Sequence, residues 1–247
     1  MFPLIRFVEY GKNDLKDYTV IEGFPGLGLV GTICGKYITE KMEFEEIGHI
    51  DSEIFLPMIR IEKGLPVYPA RIYANREKKI VVLLSEQIIP RNYVYHLSKY
   101  VVLWLKEKKV KRLISLEGIH TDENTKTPKI YAIAANNASR EIAKGHNLAM
   151  VENGITTGVT TMIMLDLKPE KLEAFSLLAD VKNVADYKGA AELAKELNRI
   201  LNLGIPIEPL LEEAKETEKA LLKQMEELKK TNETVENFEE KAPSMYT

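Results

Sequence analysis

The chain has 247 residues, 45% of them hydrophobic, and its 37 acidic and 34 basic side chains leave a net charge of -3. That length can bury one sizeable core plus an appendage, and with no basic block long enough to coat a phosphate backbone it excludes nucleic acid as a partner. A single cysteine, Cys34, excludes an internal disulfide framework, and with neither a signal-peptide pattern nor an 18-residue apolar run the expectation is a cytoplasmic protein with no membrane span.

In chain order, residues 19–22 form a short β-rich run. It feeds the glycine-studded segment Gly23-Phe24-Pro25-Gly26-Leu27-Gly28-Leu29-Val30-Gly31, which continues into helix-compatible residues 32–41. Strands are predicted at 55–61, 67–73 and 80–84, and the short links Lys63-Gly64 and 75–78 between them favour antiparallel hairpins. Residues 93–108 carry Leu97, Tyr100, Val101, Trp104 and Leu105 at helical spacing. Strands at 110–116 and 129–134 and a helix at 137–144 follow.

Beyond Pro169 the pattern predicts helices alone, at 170–178 and 188–201, with Gly204-Ile205-Pro206 breaking the second. A third helix is expected from Pro209 to about Lys230, where Leu211, Ala214, Leu221, Met225 and Leu228 fall on one stripe. That stripe suits packing on its own domain and self-association equally well. The expected fold class is therefore α/β, a mixed sheet with flanking helices and a C-terminal helical extension. The expected division is a core domain at 1–205, a helical extension at 206–238 and a flexible tail at 239–247.

Gly26, Gly28 and Gly31 match G-x-G-x-x-G between a strand and a helix, and Asp51 lies where a ribose-binding acid could sit. A nucleoside- or dinucleotide-binding enzyme is one reading. Against it, Pro25 stiffens the turn, the chain after Asp51 gives hairpins instead of a second βαβ crossover, and no proton-transfer group is tied to the motif. The other reading is structural: the glycines let the chain turn tightly and the helix approach the sheet, which needs no ligand.

Other chemistry is thinner. His49, His96, His120 and His146 are scattered, with no i, i+4 pair and no cysteine partner, so no metal-ligand pattern exists and no cofactor is expected. Residues 117–123, following a predicted strand, are placed either to line a pocket at a strand end or to form a polar loop. Residues 153–158 offer backbone amides to an anion but lack the lysine of a phosphate loop. Ser85 and Cys34 have no nucleophile setting.

The last three residues, Met245, Tyr246 and Thr247, put an apolar side chain, a tyrosine and a carboxylate at the end of a stretch, 231–244, too poor in apolar groups to build a core. This reads as a hook for a pocket on another protein, where a lysine meets the carboxylate. A frayed terminus with no partner is the alternative.

Taken together, the segment 23–31, the strand and Glu117-Gly118 pair after the Trp104 helix, and residues 186–211 with their Ala-Ala, Asn-Leu-Gly-Ile and Glu-Pro-Leu-Leu-Glu-Glu-Ala stretches resemble the proteasome assembly chaperone family, in its archaeal branch. The resemblance covers roughly residues 1 to 225. It implies a fold similar to nucleoside phosphorylases and hydrolases without their catalytic equipment, acting by binding proteasome α subunits. It also gives the tail a role, since Met245-Tyr246-Thr247 is similar to the hydrophobic-Tyr-any-residue tails that dock between α subunits of the 20S ring. By that analogy Thr247 supplies the carboxylate contact, Tyr246 packs and hydrogen-bonds at the pocket mouth, and Met245 is the apolar anchor. The implied protein is a non-enzymatic homo-oligomer that opens the proteasome gate, escorts α subunits during assembly, or does both.

Overall fold

The computed structural model describes residues 4–121 and 127–212, together with Lys223. Its elements run β1 (Ile5–Glu9), β2 (Thr19–Gly23), α1 (Val30–Lys41), β3 (Glu45–Ser52), β4 (Arg60–Glu62), β5 (Leu65–Val67), β6 (Ala70–Asn75) and β7 (Ile80–Ser85). They continue with α2 (Val94–Glu107), β8 (Arg112–Ile119), β9 (Ile130–Ala134), α3 (Asn137–Gly145), β10 (Ala149–Met150), α4 (Val159–Asp166), β11 (Glu173–Asp180) and α5 (Tyr187–Leu201). Among the described residues nine strands make one sheet in the order β1-β3-β6-β7-β2-β8-β11-β9-β10.

The sheet is mixed, as expected. Strands β7, β2, β8 and β11 run parallel at its centre. Antiparallel pairings join β6, β3 and β1 on one flank and β9 on the other. The central strands are nearly continuous apolar runs because helices cover both faces. On one face Ile21, Leu84, Ile114, Phe175 and Leu177 pack with α1, α3 and α5. The opposite face buries Val20, Leu83, Leu113 and Ala174 against α2 and α4.

Local chemistry sets the helix ends. Asp186 caps α5 by accepting from Gly189 N at 2.9 Å, and Asn202 closes it in the left-handed region at φ 50°. Asn136 caps α3 in the same way through Ser139 N. Trp104 ties α2 to the sheet edge, stacking on Phe7 and donating from Nε1 to Glu9 at 3.0 Å. Cys34 is fully buried in α1, and burial pushes its thiol well above the usual range.

Three sequence expectations need correction. Residues 170–178 are not a helix: β11 is a central strand, so the chain beyond Pro169 is not helical throughout. Its sequence, Glu-Ala-Phe-Ser-Leu-Leu-Ala-Asp, is buried on both faces and has no period-2 alternation to separate it from a helix. The strand expected at 55–61 begins only at Arg60, and the one at 67–73 divides at Pro69. Strands β1 and β3 and helix α4 have no counterpart among the predicted elements. Most of the helix expected from Pro209 and the tail of 239–247 lie outside the described residues; Ile207 and Leu210 are buried against the core, and Tyr37 Oη donates to Pro206 O.

Strands β4 and β5 form a separate two-stranded ribbon. Its two-residue turn, Lys63-Gly64, has φ of 50° and 81°, the positive values that a tight hairpin turn requires at both positions. A single carboxylate clips the ribbon to the body. Glu86 accepts from Arg60 Nη1 at 3.0 Å and from Arg71 Nη2 at 2.6 Å, with Lys36 Nζ at 3.7 Å. The side chains of Glu86 and Arg71 are both nearly covered, so removing the carboxylate strands a guanidinium away from water. Glu86→Ala is expected to destabilise the fold by about 3 kcal/mol, with Glu86→Gln intermediate, as thermal melts would measure.

Candidate functional site

Ligands in open α/β sheets gather beyond the carboxyl ends of the parallel strands. Here that edge is built by the ends of β2, β8 and β11 and by the start of α4. Glu22, at the end of β2, is completely buried; its Oε1 accepts from Phe24 N at 3.0 Å and its Oε2 from Thr160 Oγ1 at 2.9 Å. Glu117, near the end of β8, is 5% exposed and turns its Oε1 into the glycine segment, accepting from Leu27 N at 2.9 Å and Gly118 N at 3.0 Å.

Burial pushes the Glu117 carboxyl up to about 8, helped by the neighbouring Glu22 and opposed by the amides of Gly118 and Leu27. Burial raises Glu22 as well. Near neutral pH the Glu117 carboxyl therefore holds a proton that an exposed glutamate would release.

The glycine positions explain themselves against this pair. A Cβ on Gly26 would stand 1.9 Å from Glu117 Oε1, and one on Gly31 would stand 2.4 Å from Leu116 O. Gly28 has φ 66° and faces Val181 and Asp186, and its carbonyl accepts from Asp186 N at 2.7 Å. Gly118 in turn lies against Leu27, where an added Cβ would meet the Leu27 carbonyl at 2.2 Å. The segment is a close-packed joint between α1, β8 and the turn before α5. The amide of Leu27, which a phosphate would need, already binds a carboxyl. Asp51 is elsewhere, at the end of β3 and paired with Arg6, with β6 and β7 between β3 and β2.

Of the two segments picked out in the sequence, 117–123 contributes Ile119, the last residue of β8, to a pocket lined mainly by the other, 153–158. Asn153, Gly154, Ile155 and Thr156 line a pocket of about 180 Å³ whose floor is Ile119, Ile133 and Leu178 from three neighbouring strands. Glu117 turns away to the glycine segment, and residues 122–123 lie outside the described residues. His49 bonds Tyr10 Oη at 3.0 Å and stacks on Tyr68, and His120 lies 3.0 Å from Val181 O. Ser85 Oγ donates to Gln87 O. Among the described residues no three His, Cys, Asp or Glu side chains gather to hold a metal. The tail residues Met245, Tyr246 and Thr247 lie outside the described residues. The contact that sequence reasoning missed is the one between Glu117 and the glycine segment, 90 residues apart in the chain.

The PAC2 family model matches residues 20–225, and the chain belongs to that family. It is 32% identical over 222 residues to an uncharacterized protein of Methanocaldococcus jannaschii, MJ0106, a match that covers 90% of this chain and 91% of that one. Its fold is similar to that of Pyrococcus furiosus PbaA, an archaeal homolog of proteasome-assembly chaperone, with a TM-score of 0.83 at 25% identity over 93% of this chain and all of that one. The fold of Pyrococcus furiosus PbaB, an archaeal proteasome activator, is also similar, with a TM-score of 0.74 at 21% identity over 90% and 98% of the two chains. The resemblance to the proteasome assembly chaperone family read from the sequence is borne out.

Proposed function

We propose that this protein is a non-enzymatic proteasome-binding factor whose C-terminal tail docks into pockets between α subunits of the 20S ring. It acts there as an ATP-independent gate opener, as an assembly chaperone, or as both. The observation that carries this reading is membership of the PAC2 family combined with the sequence Met245-Tyr246-Thr247. The likeness to PbaA over almost the whole chain supports it. In this reading a core at 1–205 and a helical extension at 206–238 carry the tail of 239–247, and the protein works in the cytoplasm. Thr247 gives the carboxylate for a pocket lysine, Tyr246 packs at the pocket mouth and Met245 is the apolar anchor. The buried pair Glu22 and Glu117 is structural in this reading, because both Glu22 oxygens and Glu117 Oε1 are bound to the chain's own amides and hydroxyl.

One short tail buries little surface and loses conformational freedom on docking, so a single copy is expected to bind with a Kd on the order of micromolar or weaker. Several tails on one homo-oligomer act together. The deciding experiment is peptide hydrolysis by purified archaeal 20S proteasome, with the full chain compared with one lacking residues 245–247. Stimulation that disappears with the tail establishes gate opening. Absence of stimulation with α-subunit binding retained establishes an assembly role, and absence of both overturns the proposal.

A further inference from the structure

The loop between β10 and α4 carries the one Asn-Gly pair of the sequence, Asn153-Gly154. Both residues are exposed, and the neighbouring Ile155 is 94% exposed. The last backbone amide held before the pair is that of Val151, which donates to Ala132 O at 2.9 Å, and the ladder of α4 begins only at Met162 N, which donates to Gly158 O at 3.3 Å. Between them the Gly154 amide meets no acceptor among the described residues, and the Asn153 side chain makes no hydrogen bond with them either. Gly154 also has room around it: an added Cβ would meet Val151 Cγ1 at 3.4 Å and nothing else within 4 Å. Other asparagines are tied down. Asn75 is bonded to Glu43 O and Lys78 N, Asn136 to Glu170 O and Ser139 N, and Asn198 to Ile205 O and Ile205 N, and none of these three precedes a glycine.

We propose that Asn153 is a self-modifying site, converted without an enzyme to aspartate and isoaspartate through a cyclic imide. The Gly154 amide nitrogen loses its proton to hydroxide and attacks Asn153 Cγ. The new N–Cγ bond closes the ring while the Cγ–Nδ2 bond breaks, and Nδ2 leaves as ammonia with a proton from water. A second water then opens the imide. Cleavage of the N–Cγ bond gives aspartate in an ordinary peptide, and cleavage between the nitrogen and the Asn153 backbone carbonyl carbon gives isoaspartate, with the main chain running through Cγ. The sum is asparagine plus water giving a carboxylate and ammonium, with nothing oxidised or reduced. Glycine suits the attack because no Cβ crowds the approach of its nitrogen to Cγ. The fold leaves that nitrogen exposed and unbonded, so no local structure has to open first. Conversion sets a second carboxylate beside Glu152 on the wall of the 180 Å³ pocket, and the iso form lengthens the main chain by one methylene just ahead of α4. None of this depends on binding to a proteasome.

The test is to age the folded full chain at about pH 8 beside a synthetic peptide of residues 149–158, and to follow both by peptide-mapping mass spectrometry and by methyl transfer to isoaspartate. Asn153 is expected to convert within about three-fold of the peptide's rate, ahead of every other asparagine of the chain, with isoaspartate among the products and with a rate that rises with pH. Gly154→Ala is expected to slow conversion roughly ten-fold, and Asn153→Gln to abolish it. Both substitutions are at exposed positions and are expected to leave the melting temperature unchanged. An Asn153 that stays intact in the folded chain while the peptide converts overturns the inference, because the loop then protects the amide. Aspartate formed without isoaspartate overturns the imide route, and so does a Gly154→Ala variant that converts as fast as the wild type.

Discussion

Gly31→Ala is expected to destabilise the protein by about 5 kcal/mol, a fall in melting temperature of roughly 10–20 °C for a domain of this size. The added methyl meets the Leu116 carbonyl at 2.4 Å and the Phe24 carbonyl at 3.1 Å. Both obstacles are backbone, one in a central strand and the other in the turn that leaves β2, so neither can rotate away as a side chain would. Helix α1 can make room only by backing off β8, which opens the packing of Val30, Ile33 and Cys34 in the core. Gly118→Ala is expected to behave alike, since its Cβ meets the Leu27 carbonyl at 2.2 Å. Gly145→Ala is the control: it ends α3 with nothing within 4 Å of the new methyl, and its expected effect is neutral to stabilising by less than about 1 kcal/mol. Thermal melts of the three variants check the set. Equal melting temperatures for Gly31→Ala and Gly145→Ala would sink the idea that the glycine segment is a packing joint.

Glu117→Gln is expected to change the way stability depends on pH. The Glu117 carboxyl has an ordinary value of 4.5 and is raised to about 8 in the fold. A raised acid binds more protons folded than unfolded between those two values, so its stabilising contribution is complete below 4.5 and is lost as pH rises through about 8. Across that window the wild-type protein is expected to lose about 1.4 kcal/mol of stability per pH unit from this group. The side-chain amide introduced by the substitution would keep an oxygen for Leu27 N and Gly118 N and carry no titrating proton. Melting temperatures taken from about pH 5 to about pH 9 should therefore fall less steeply in the variant than in the wild type. Glu22, also raised, leaves a residual slope in both. Parallel curves for the two proteins would show that Glu117 is ionised in the fold.

Much of the fold can be read from the residues where local signals agree with the final packing. Helices α2, α3 and α5 lie within a few residues of the predicted positions, because amphipathic spacing is strong in each and Asn136 and Asp186 mark the starts of the last two. The hairpin of β6 and β7 announces itself through the polar link after Asn75. Strand β11 does not, since burial on both faces erases the alternation by which strands are recognised. Strand β3 has only Ile47 and Ile50 as large apolar residues among Glu, Gly, His, Asp and Ser, and its pairing with β1 and β6 is what makes it a strand. Helix α4 is eight residues long and opens Val-Thr-Thr, a start that propensity alone disfavours.

The candidate site divides in the same way. The glycine spacing is visible in the sequence, and so are both readings of it. The fact that bears on the choice, a glutamate carboxyl from 90 residues downstream lodged against Gly26 and bonded to Leu27, is a tertiary contact with no local trace. The tail is the reverse case, three residues whose meaning comes from chemistry and family resemblance and owes nothing to packing.

Cys34 makes the protein convenient to label. It is the one thiol of the chain, and its burial in α1 keeps it from ionising, so maleimides and iodoacetamides should leave the folded protein untouched at neutral pH. A cysteine introduced on the surface would then be the sole reactive handle, and no background substitution is needed first. Placed near Thr247 it would take a fluorophore to report docking in real time.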